Sequence, residues 1–138
     1  MNYASPEEAQ RAFYAAFEAG DPTAMMAVWL DGPTSICIHP GGEALRGSAE
    51  IRRSWRAILS GGGAGRIEFR TLSLNQDDAV AAFTGFEFIT APGAAAPFPP
   101  VLATNVYRRV GDGWLMVLHH ASQVLRAFPP AAPDTTRH

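Results

Sequence analysis

Four polar residues in predicted strands carry side chains that could move a proton on a small molecule: His39, Glu87, Asn105 and His120. A histidine titrates near neutral pH, so a positioned imidazole can accept or release a proton with modest tuning by its surroundings. An asparagine amide can hold a carbonyl or enolate oxygen, although it cannot supply a proton. We therefore predict an acid–base site in which His120 and His39 transfer the proton and Asn105 binds the oxygen.

Glu87 lies in a phenylalanine-rich segment, with phenylalanines at positions 83, 86 and 88. An unpaired carboxyl in such surroundings would have a raised pKa, whereas a paired one could orient a histidine. A structural alternative stays open for each of these polar residues. His120 could bond a backbone carbonyl, and Glu87 could pair with an arginine at the rim of the fold.

The orientation of the paired histidines follows from the alternation of side chains along a strand. One face of the predicted last strand carries Trp114, Met116, Leu118 and His120. The large Trp114 assigns this face to the concave side, so we predict that His120 faces a pocket and His119 faces away from it. By the same rule Asn105 shares a face with Tyr107, and Glu87 shares one with Phe83.

A metal site is a weaker interpretation of the same residues. His39, Glu87 and one of the paired histidines could supply three ligands. However, His119 and His120 point to opposite faces, and the sequence has no His-x-His or His-Glu-x-x-His spacing. The lone Cys37 is interpreted as a small core residue. The glycine-rich segment 60–65 lacks the spacing of a phosphate-binding loop. No metal and no cofactor are predicted.

The elements that must position these residues begin with two helices. Ser5 can cap the first helix, Pro6 suits its first position, and Glu8 can complete a capping box. Gly20 ends this helix, and Asp21 starts the second one at once. A short strand containing His39 follows, and then a third helix capped by Ser48.

The second half of the chain predicts four strands, the last two joined by a tight turn at Asp112-Gly113. The order α-α-β-α-β-β-β-β indicates an α+β fold in which a mostly antiparallel sheet packs on three helices. We expect one domain over residues 1–126 and a flexible C-terminal tail over 127–138.

The composition excludes several classes of partner. The 138 residues carry a net charge of −2, which leaves no electrostatic footprint for nucleic acid or an anionic membrane surface. The first residues lack the features of a signal peptide, and no apolar run of about 18 residues occurs. A single cysteine fits a reducing compartment. We therefore predict a cytoplasmic protein.

The predicted sheet is apolar on both faces along residues 79–89 and 114–118. Helices can cover only one of these faces, and an exposed apolar face of that extent is unusual in a monomer. We predict a symmetric homodimer through the sheet that buries roughly 800 Å² per partner.

Several segments together resemble the SnoaL-like proteins of the nuclear-transport-factor-2-like superfamily, which includes ketosteroid isomerase and limonene epoxide hydrolase. The resemblance covers about residues 5 to 125 and rests on the phenylalanine-rich first helix, Gly20-Asp21, Trp29, Ile38-His-Pro-Gly-Gly42, Leu45-Arg-Gly47, Ser54-Trp55, Ala103-Thr-Asn-Val-Tyr107, Gly113-Trp114 and His119-His-Ala-Ser122. It implies a cone, in which a strongly curved sheet and the helices enclose a central pocket. It does not fix the function, because relatives include enzymes, transport factors and oligomerisation domains.

The resemblance also implies site residues. Ketosteroid isomerases use a first-helix tyrosine, matched here by Tyr14, but they use aspartates where this chain has His39 and Asn105. Steroid isomerisation itself is therefore not expected. The SnoaL-like cyclases place an acid–base group late in the last strand, where His119 and His120 lie. The aromatic residues expected to contact a ligand are Phe17, Trp29, Trp55, Tyr107 and Trp114.

Two functions fit this sequence. The first is a protein that binds a small apolar or aromatic carbonyl or hydroxyl compound, with cofactor-free isomerisation, cyclisation or hydration by histidine-based proton transfer. The second is a non-catalytic ligand-binding or dimerisation module with the same fold.

Overall fold

The computed structural model describes residues 3–124, in which three helices pack on one six-stranded sheet. The elements are α1 (Pro6–Ala19), α2 (Pro22–Val28), β1 (Ile36–Ile38), β2 (Leu45–Arg46), α3 (Gly47–Leu59), β3 (Arg66–Gln76), β4 (Val80–Thr90), β5 (Val101–Val110) and β6 (Gly113–Gln123). The predicted order of elements is confirmed, with the two-residue β2 added. The expected tail, residues 127–138, lies outside the described residues.

The strands are arranged in the order β2-β1-β6-β5-β4-β3. Every neighbouring pair is antiparallel except β1 and β6, which run parallel. This curved, mostly antiparallel sheet with helices on one side is the predicted α+β cone. Within residues 3–124, no helix has both the length and the apolar character needed to cross a membrane.

Local capping explains where the first two helices begin and end. The Ser5 hydroxyl accepts a hydrogen bond from the Glu8 N–H, and the Glu8 carboxylate accepts one from the Ala4 N–H. Gly20 ends α1 with a φ of 67°, and the Asp21 carboxylate caps α2. The predicted cap of α1, its end at Gly20 and the start of the second helix at Asp21 are therefore confirmed.

The predicted cap of α3 is wrong. The helix begins at Gly47, and the residue before it, Arg46, makes no side-chain capping bond. The Ser48 hydroxyl instead accepts a hydrogen bond from the Gly32 N–H at 2.7 Å and donates one to the Gly32 carbonyl at 3.1 Å. Ser48 thus ties the start of α3 to the loop before β1, a long-range contact that a local motif does not reveal.

The helices cover the inner face of the sheet with aromatic side chains. Phe13 of α1 meets Trp55 of α3 edge to face, with their ring centroids 5.6 Å apart. Both rings are fully buried, as are Tyr107 of β5 and Met116 of β6. These contacts form a continuous apolar core between the helices and the sheet, and this core holds the inner face rigidly in place.

Side chains in β4 and β5 alternate strictly between the inner and outer faces of the sheet. Phe83 and Glu87 are buried on the inner face of β4, and Asn105 and Tyr107 are buried on the inner face of β5. The predicted grouping of these four side chains is therefore confirmed.

A register shift interrupts the alternation in β6. Val106 of β5 lies opposite Leu118, but the next residue, Tyr107, lies opposite Met116. Val117 is therefore an extra residue without a partner on β5. Such a β-bulge adds one residue to one strand and reverses which side chains face inward beyond it.

This bulge makes the predicted orientation of the two histidines wrong. Trp114 and Met116 face inward before it, whereas His119 and Ala121 face inward after it. His119 is only 2% exposed, and His120 lies exposed on the outer face. His119 is therefore the interior histidine of β6.

Gly85 of β4 provides a test of how closely β3 and β4 pack. A Cβ at this position would overlap the carbonyl oxygen of Arg70 and lie 2.8 Å from the Phe69 ring. We expect Gly85→Ala to lower the free energy of unfolding by about 1 to 3 kcal/mol in urea denaturation. Gly61→Ala is the matched control, because its Cβ would meet open space. Equal stabilities of the two variants would contradict this packing.

Candidate functional site

A network of buried polar side chains crosses the interior between α1 and the sheet. None of its members is more than 7% exposed, and together they are Gln10, Tyr14, Glu87, Asn105, Tyr107 and His119. We call these six residues the interior network. Buried polar groups destabilise a fold unless they are hydrogen-bonded, so their pairing determines how each one is oriented.

Asn105 lies at the centre of the interior network. Its amide nitrogen donates to the Gln10 carbonyl oxygen at 3.0 Å and to the Tyr14 hydroxyl at 2.9 Å. Its amide oxygen lies 2.6 Å from Nδ1 of His119. Because an amide oxygen can only accept, Nδ1 of His119 carries the proton and Nε2 keeps a lone pair. Asn105 therefore sets the tautomer of the interior histidine.

Glu87 ends the chain of hydrogen bonds. The Tyr14 hydroxyl donates to Oε2 of Glu87 at 2.6 Å. Burial raises the pKa of the Glu87 carboxyl to about 7, and the bond from Tyr14 opposes this rise only in part. Within residues 3–124 the single ion pair joins Arg70 to Glu68, so Glu87 lacks the arginine partner considered from the sequence. Its Oε1 atom makes no hydrogen bond to these residues.

His119 is held in its neutral form. Burial, together with the nearby imidazoles of His39 and His120, lowers its pKa to about 3. Its ring packs against Phe13 and Trp55, with ring centroids 4.9 Å and 6.2 Å apart. At neutral pH this histidine can accept a hydrogen bond but is a poor source of a proton.

His39 lies next to the interior network rather than in it. Its Nε2 atom is 2.8 Å from the Ser54 hydroxyl and 3.6 Å from the Cys37 sulfur, and its ring centroid is 6.3 Å from that of His119. Burial lowers the pKa of His39 and raises that of the Cys37 thiol to about 12. Cys37 is fully buried, which confirms it as a core residue. Across residues 3–124, no three His, Cys, Asp or Glu side chains are grouped as metal ligands.

The structure therefore brings together Tyr14, Glu87 and Asn105, three of the five predicted catalytic residues. His39 lies alongside them, and the exposed His120 is replaced by its neighbour His119. Their catalytic roles stay predictions.

The aromatic side chains predicted to contact a ligand pack into the core. Trp29, Trp55, Tyr107 and Trp114 are at most 6% exposed. Phe17 is half-buried against Trp55, with ring centroids 5.0 Å apart. The centre of the predicted cone thus holds packed side chains, and ligand contact by these five residues stays a prediction.

An open groove lies beside the interior network, between α1 and β3. It has a volume of about 510 Å³. The residues that line it include Gln10, Tyr14, Ile67, Phe69, Thr71 and Phe83. We call it the α1–β3 groove. Gln10 and Tyr14 belong to both the groove and the network, and Phe69 is the cross-strand partner of Glu87. Glu87 therefore lies directly behind the wall of the groove.

Sequence reasoning did not find Gln10 or Ser54 as site residues, and it turned the side chain of His119 away from the pocket. Gln10 had a detectable signal, since it is a polar residue one helical turn before Tyr14 on the buried side of α1. Ser54 and the inward orientation of His119 had none, because they depend on α3–β1 packing and on the bulge in β6.

The raised pKa of the buried Glu87 carboxyl predicts how the stability of the protein depends on pH. The folded protein binds the Glu87 proton more tightly than the unfolded chain, so stability falls as pH rises from 4.5 to about 7. We expect the free energy of unfolding of Glu87→Gln, measured against the unsubstituted protein, to rise by roughly 3 kcal/mol between about pH 4 and pH 8. His119 titrates in both proteins, so its opposite contribution cancels in this difference.

The matched control is Glu68→Gln, which removes an exposed carboxylate from the same sheet. The stability difference of Glu87→Gln should rise well above that of Glu68→Gln over this pH range. A flat difference for Glu87→Gln would show that the carboxyl is ionised at little cost and would contradict the raised pKa.

Similarity to known proteins identifies the family to which this chain belongs. A family model described as a SnoaL-like domain matches residues 7–126. A solved structure from Thiobacillus denitrificans, provisionally named a calcium/calmodulin-dependent protein kinase type II association domain, is 41% identical. The match covers 90% of this chain and 98% of that one, with a TM-score of 0.85. A provisionally named dehydratase of the NTF2-like family from Streptomyces avermitilis is 34% identical over 86% and 92% of the two chains, with a TM-score of 0.71.

A curated relative, the F-box protein SKIP8 of Arabidopsis thaliana, is 28% identical over 102 residues. The match includes 74% of this chain but only 42% of that protein's length. The family model and the two similar structures agree with the fold and its element order. The chain belongs to the SnoaL-like domain family, within the nuclear-transport-factor-2-like superfamily.

Proposed function

We propose that this domain binds a small apolar or aromatic molecule with a carbonyl or hydroxyl group and moves a proton on it without a cofactor. The observation that carries the proposal is the buried Glu87, whose pKa is raised to about 7 and whose hydrogen-bond partner is Tyr14. A carboxyl that titrates near neutral pH can act as either base or acid under ordinary conditions.

The interior network suits this role because it orients the reacting groups. The Tyr14 hydroxyl holds Oε2 of Glu87, which leaves Oε1 to face a ligand. Asn105 orients both Tyr14 and His119, and the lone pair on Nε2 of His119 could accept a hydrogen bond from a ligand hydroxyl. In this proposal Glu87 replaces the predicted histidines as the proton-transfer group, because His119 stays neutral and His120 faces outward.

The α1–β3 groove is the proposed entrance. Its volume of about 510 Å³ lies within the range of small-molecule sites. Five of its ten lining residues are apolar or aromatic, whereas Glu7, Arg11 and Glu18 add charge. The rings of Tyr14 and Phe69 stack between the groove and Glu87, with centroids 5.5 Å apart. Phe69 is only half-buried, so rotation of its ring would open a path to Glu87.

The proposed reaction class is isomerisation, cyclisation or hydration and dehydration, each of which includes a proton transfer that a positioned carboxyl can perform. The Streptomyces avermitilis relative named a dehydratase supports this class. Removal of a proton next to a carbonyl leaves an enolate, and return of the proton at another position completes an isomerisation.

Hydrogen exchange into an enolisable aromatic ketone tests the proposal. We expect the protein to accelerate exchange of the α-protons of 2-tetralone in heavy water, followed by NMR, because Glu87 would remove the proton and solvent deuterium would replace it. Loss of a general base lowers such a rate by about 10²-fold or more, so Glu87→Gln should remove most of the acceleration.

Tyr14→Phe should reduce the acceleration less than Glu87→Gln, because it removes a hydrogen bond but not the base. Glu68→Gln should leave the rate unchanged. Acceleration that survives in Glu87→Gln would overturn the assignment of the base, and saturable binding of 2-tetralone without exchange would reduce the function to ligand binding.

A second candidate function, association of two copies, is favoured by the outer face of the sheet. Strand register groups apolar and uncharged side chains on this face, among them Thr84, Phe86, Leu102, Thr104 and Val106. Leu102 is 37% exposed in the single chain. The Thiobacillus denitrificans relative named an association domain supports this candidate. We propose that a second copy covers this face and forms a homodimer.

Introducing a charged side chain at the centre of the outer face tests whether the homodimer forms through this face. Thr104 lies between Thr84 of β4 and His120 of β6, so Thr104→Arg would place a guanidinium inside the proposed interface. We expect the protein to sediment at twice its mass of 14.8 kDa and Thr104→Arg to sediment at that mass. Arg53→Glu, on the exposed side of α3, should not change the mass. A monomer for the unsubstituted protein at micromolar concentration would refute the dimer.

A further inference from the structure

A small groove between α2 and α3 is lined by two arginines and, among the described residues, by no acidic side chain. It has a volume of about 230 Å³, and its lining residues are Pro22, Thr23, Met26, Arg52 and Arg56. We call it the α2–α3 groove. It shares no lining residue with the α1–β3 groove, so it is separate from the proposed entrance to the interior.

The two arginines of this groove lack a carboxylate partner. Arg52 and Arg56 lie one turn apart on α3, and like charges at that spacing repel each other and destabilise a helix. In the part of the chain that the structure describes, neither guanidinium has a carboxylate within ion-pair distance. The carboxylate of Glu50, also on α3, accepts a hydrogen bond from the Arg46 N–H at 2.9 Å. The groove therefore concentrates two unbalanced positive charges in a chain whose net charge is −2.

The other lining residues add a hydrogen-bond donor and an apolar floor. The Thr23 hydroxyl can donate a hydrogen bond to an oxygen atom of a ligand. Pro22 and Met26 are half-buried, and Met26 packs against the hydrophobic core. The carboxylate of the neighbouring Asp21 accepts a hydrogen bond from the Ala24 N–H at 3.0 Å and does not line the groove. The groove thus fits an anion that is attached to a small apolar group.

We infer that the α2–α3 groove binds the phosphate group of an organic phosphomonoester. A guanidinium presents its N–H groups as a planar fork, which matches two oxygens of a phosphate or of a carboxylate. A phosphomonoester carries a charge of about −1.5 to −2 at pH 7, so it balances both Arg52 and Arg56, whereas a carboxylate balances only one of them. Pro22 and Met26 would contact the carbon atoms next to the phosphate.

The size of the groove limits how much of the ligand it holds. Its volume of about 230 Å³ is below the range of about 300 Å³ and more that is typical of sites for whole small molecules. The groove would therefore hold the phosphate and a group the size of a phenyl ring, and the rest of a larger ligand would lie outside. Such an ester can be a free small molecule or a phosphorylated side chain of another protein.

The inference goes beyond the proposed function and does not depend on it, because it uses no residue of the interior network.

Methionine methyl NMR tests the inference on the full chain, with phenyl phosphate as the probe. Met26 lines the groove, whereas Met25 and Met116 are fully buried in the core and serve as internal references. Titration with phenyl phosphate should shift the Met26 methyl signal saturably and leave the two reference signals unchanged. A saturable shift is absent if the arginines are merely solvated, so the lack of one at millimolar phenyl phosphate would overturn the inference.

Arginine variants test whether the two guanidinium groups hold the phosphate. Arg52→Gln and Arg56→Gln should each weaken the binding of phenyl phosphate about tenfold, because each removes a charge-assisted hydrogen bond. Arg53→Gln is the matched control, since Arg53 is an exposed arginine of the same helix that does not line the groove, and it should leave the affinity unchanged. Equal affinities in all three variants would contradict the site.

Two further probes define the ligand class and its source. Benzenesulfonate has a tetrahedral anionic group with a single negative charge, so it should bind at least about fivefold more weakly than phenyl phosphate. Equal affinity for these two anions would overturn the assignment of a phosphomonoester. A phosphotyrosine peptide that binds at least about tenfold more tightly than phenyl phosphate would assign the ester to a protein partner, and equal affinity would assign it to a free molecule.

Discussion

The burial of Glu87 without a positively charged partner in residues 3–124 is the constraint on which the interior depends. A carboxyl in this position must either remain protonated or be stabilised by hydrogen bonds, because the apolar surroundings disfavour its charge. Tyr14 supplies the hydrogen bond, and Asn105 in turn orients Tyr14. The buried acid is thus linked to α1 by Tyr14 and, through Tyr14, to Asn105 of β5 in the middle of an otherwise apolar core.

The interior network gives Glu87 and His119, its two titratable groups at opposite ends, different roles. Burial disfavours the charged form of both groups, so it raises the pKa of Glu87 and lowers that of His119. The carboxyl is thereby moved toward neutral pH while the imidazole is moved far from it. A site built this way relies on its acid for proton transfer and on its histidine for a directed lone pair, which is the reverse of what residue types alone indicate.

Much of this arrangement could be predicted from the sequence. The predictions that failed depended on strand pairing or contacts between segments that are distant in the chain. The caps at Ser5 and Asp21 depend on residues three positions apart, and the inward faces of β4 and β5 depend on a regular period of two. The orientation of His119 depends on the unpaired Val117, which is apolar like its neighbours and carries no local mark of a bulge. Ser48 was misassigned as a cap because its partner, Gly32, is sixteen residues away.

The sequence by itself determined the α+β class, the order of elements, the resemblance to SnoaL-like proteins and the nomination of Tyr14, Glu87 and Asn105. These features follow from local propensity and from side-chain periodicity, which any chain segment carries within itself. Only the tertiary structure decided which histidine enters the core, that the predicted ligand-facing tryptophans pack there, and that an open groove lies between α1 and β3. Those outcomes depend on strand register and on packing between distant segments, and neither is encoded in the spacing of neighbouring residues.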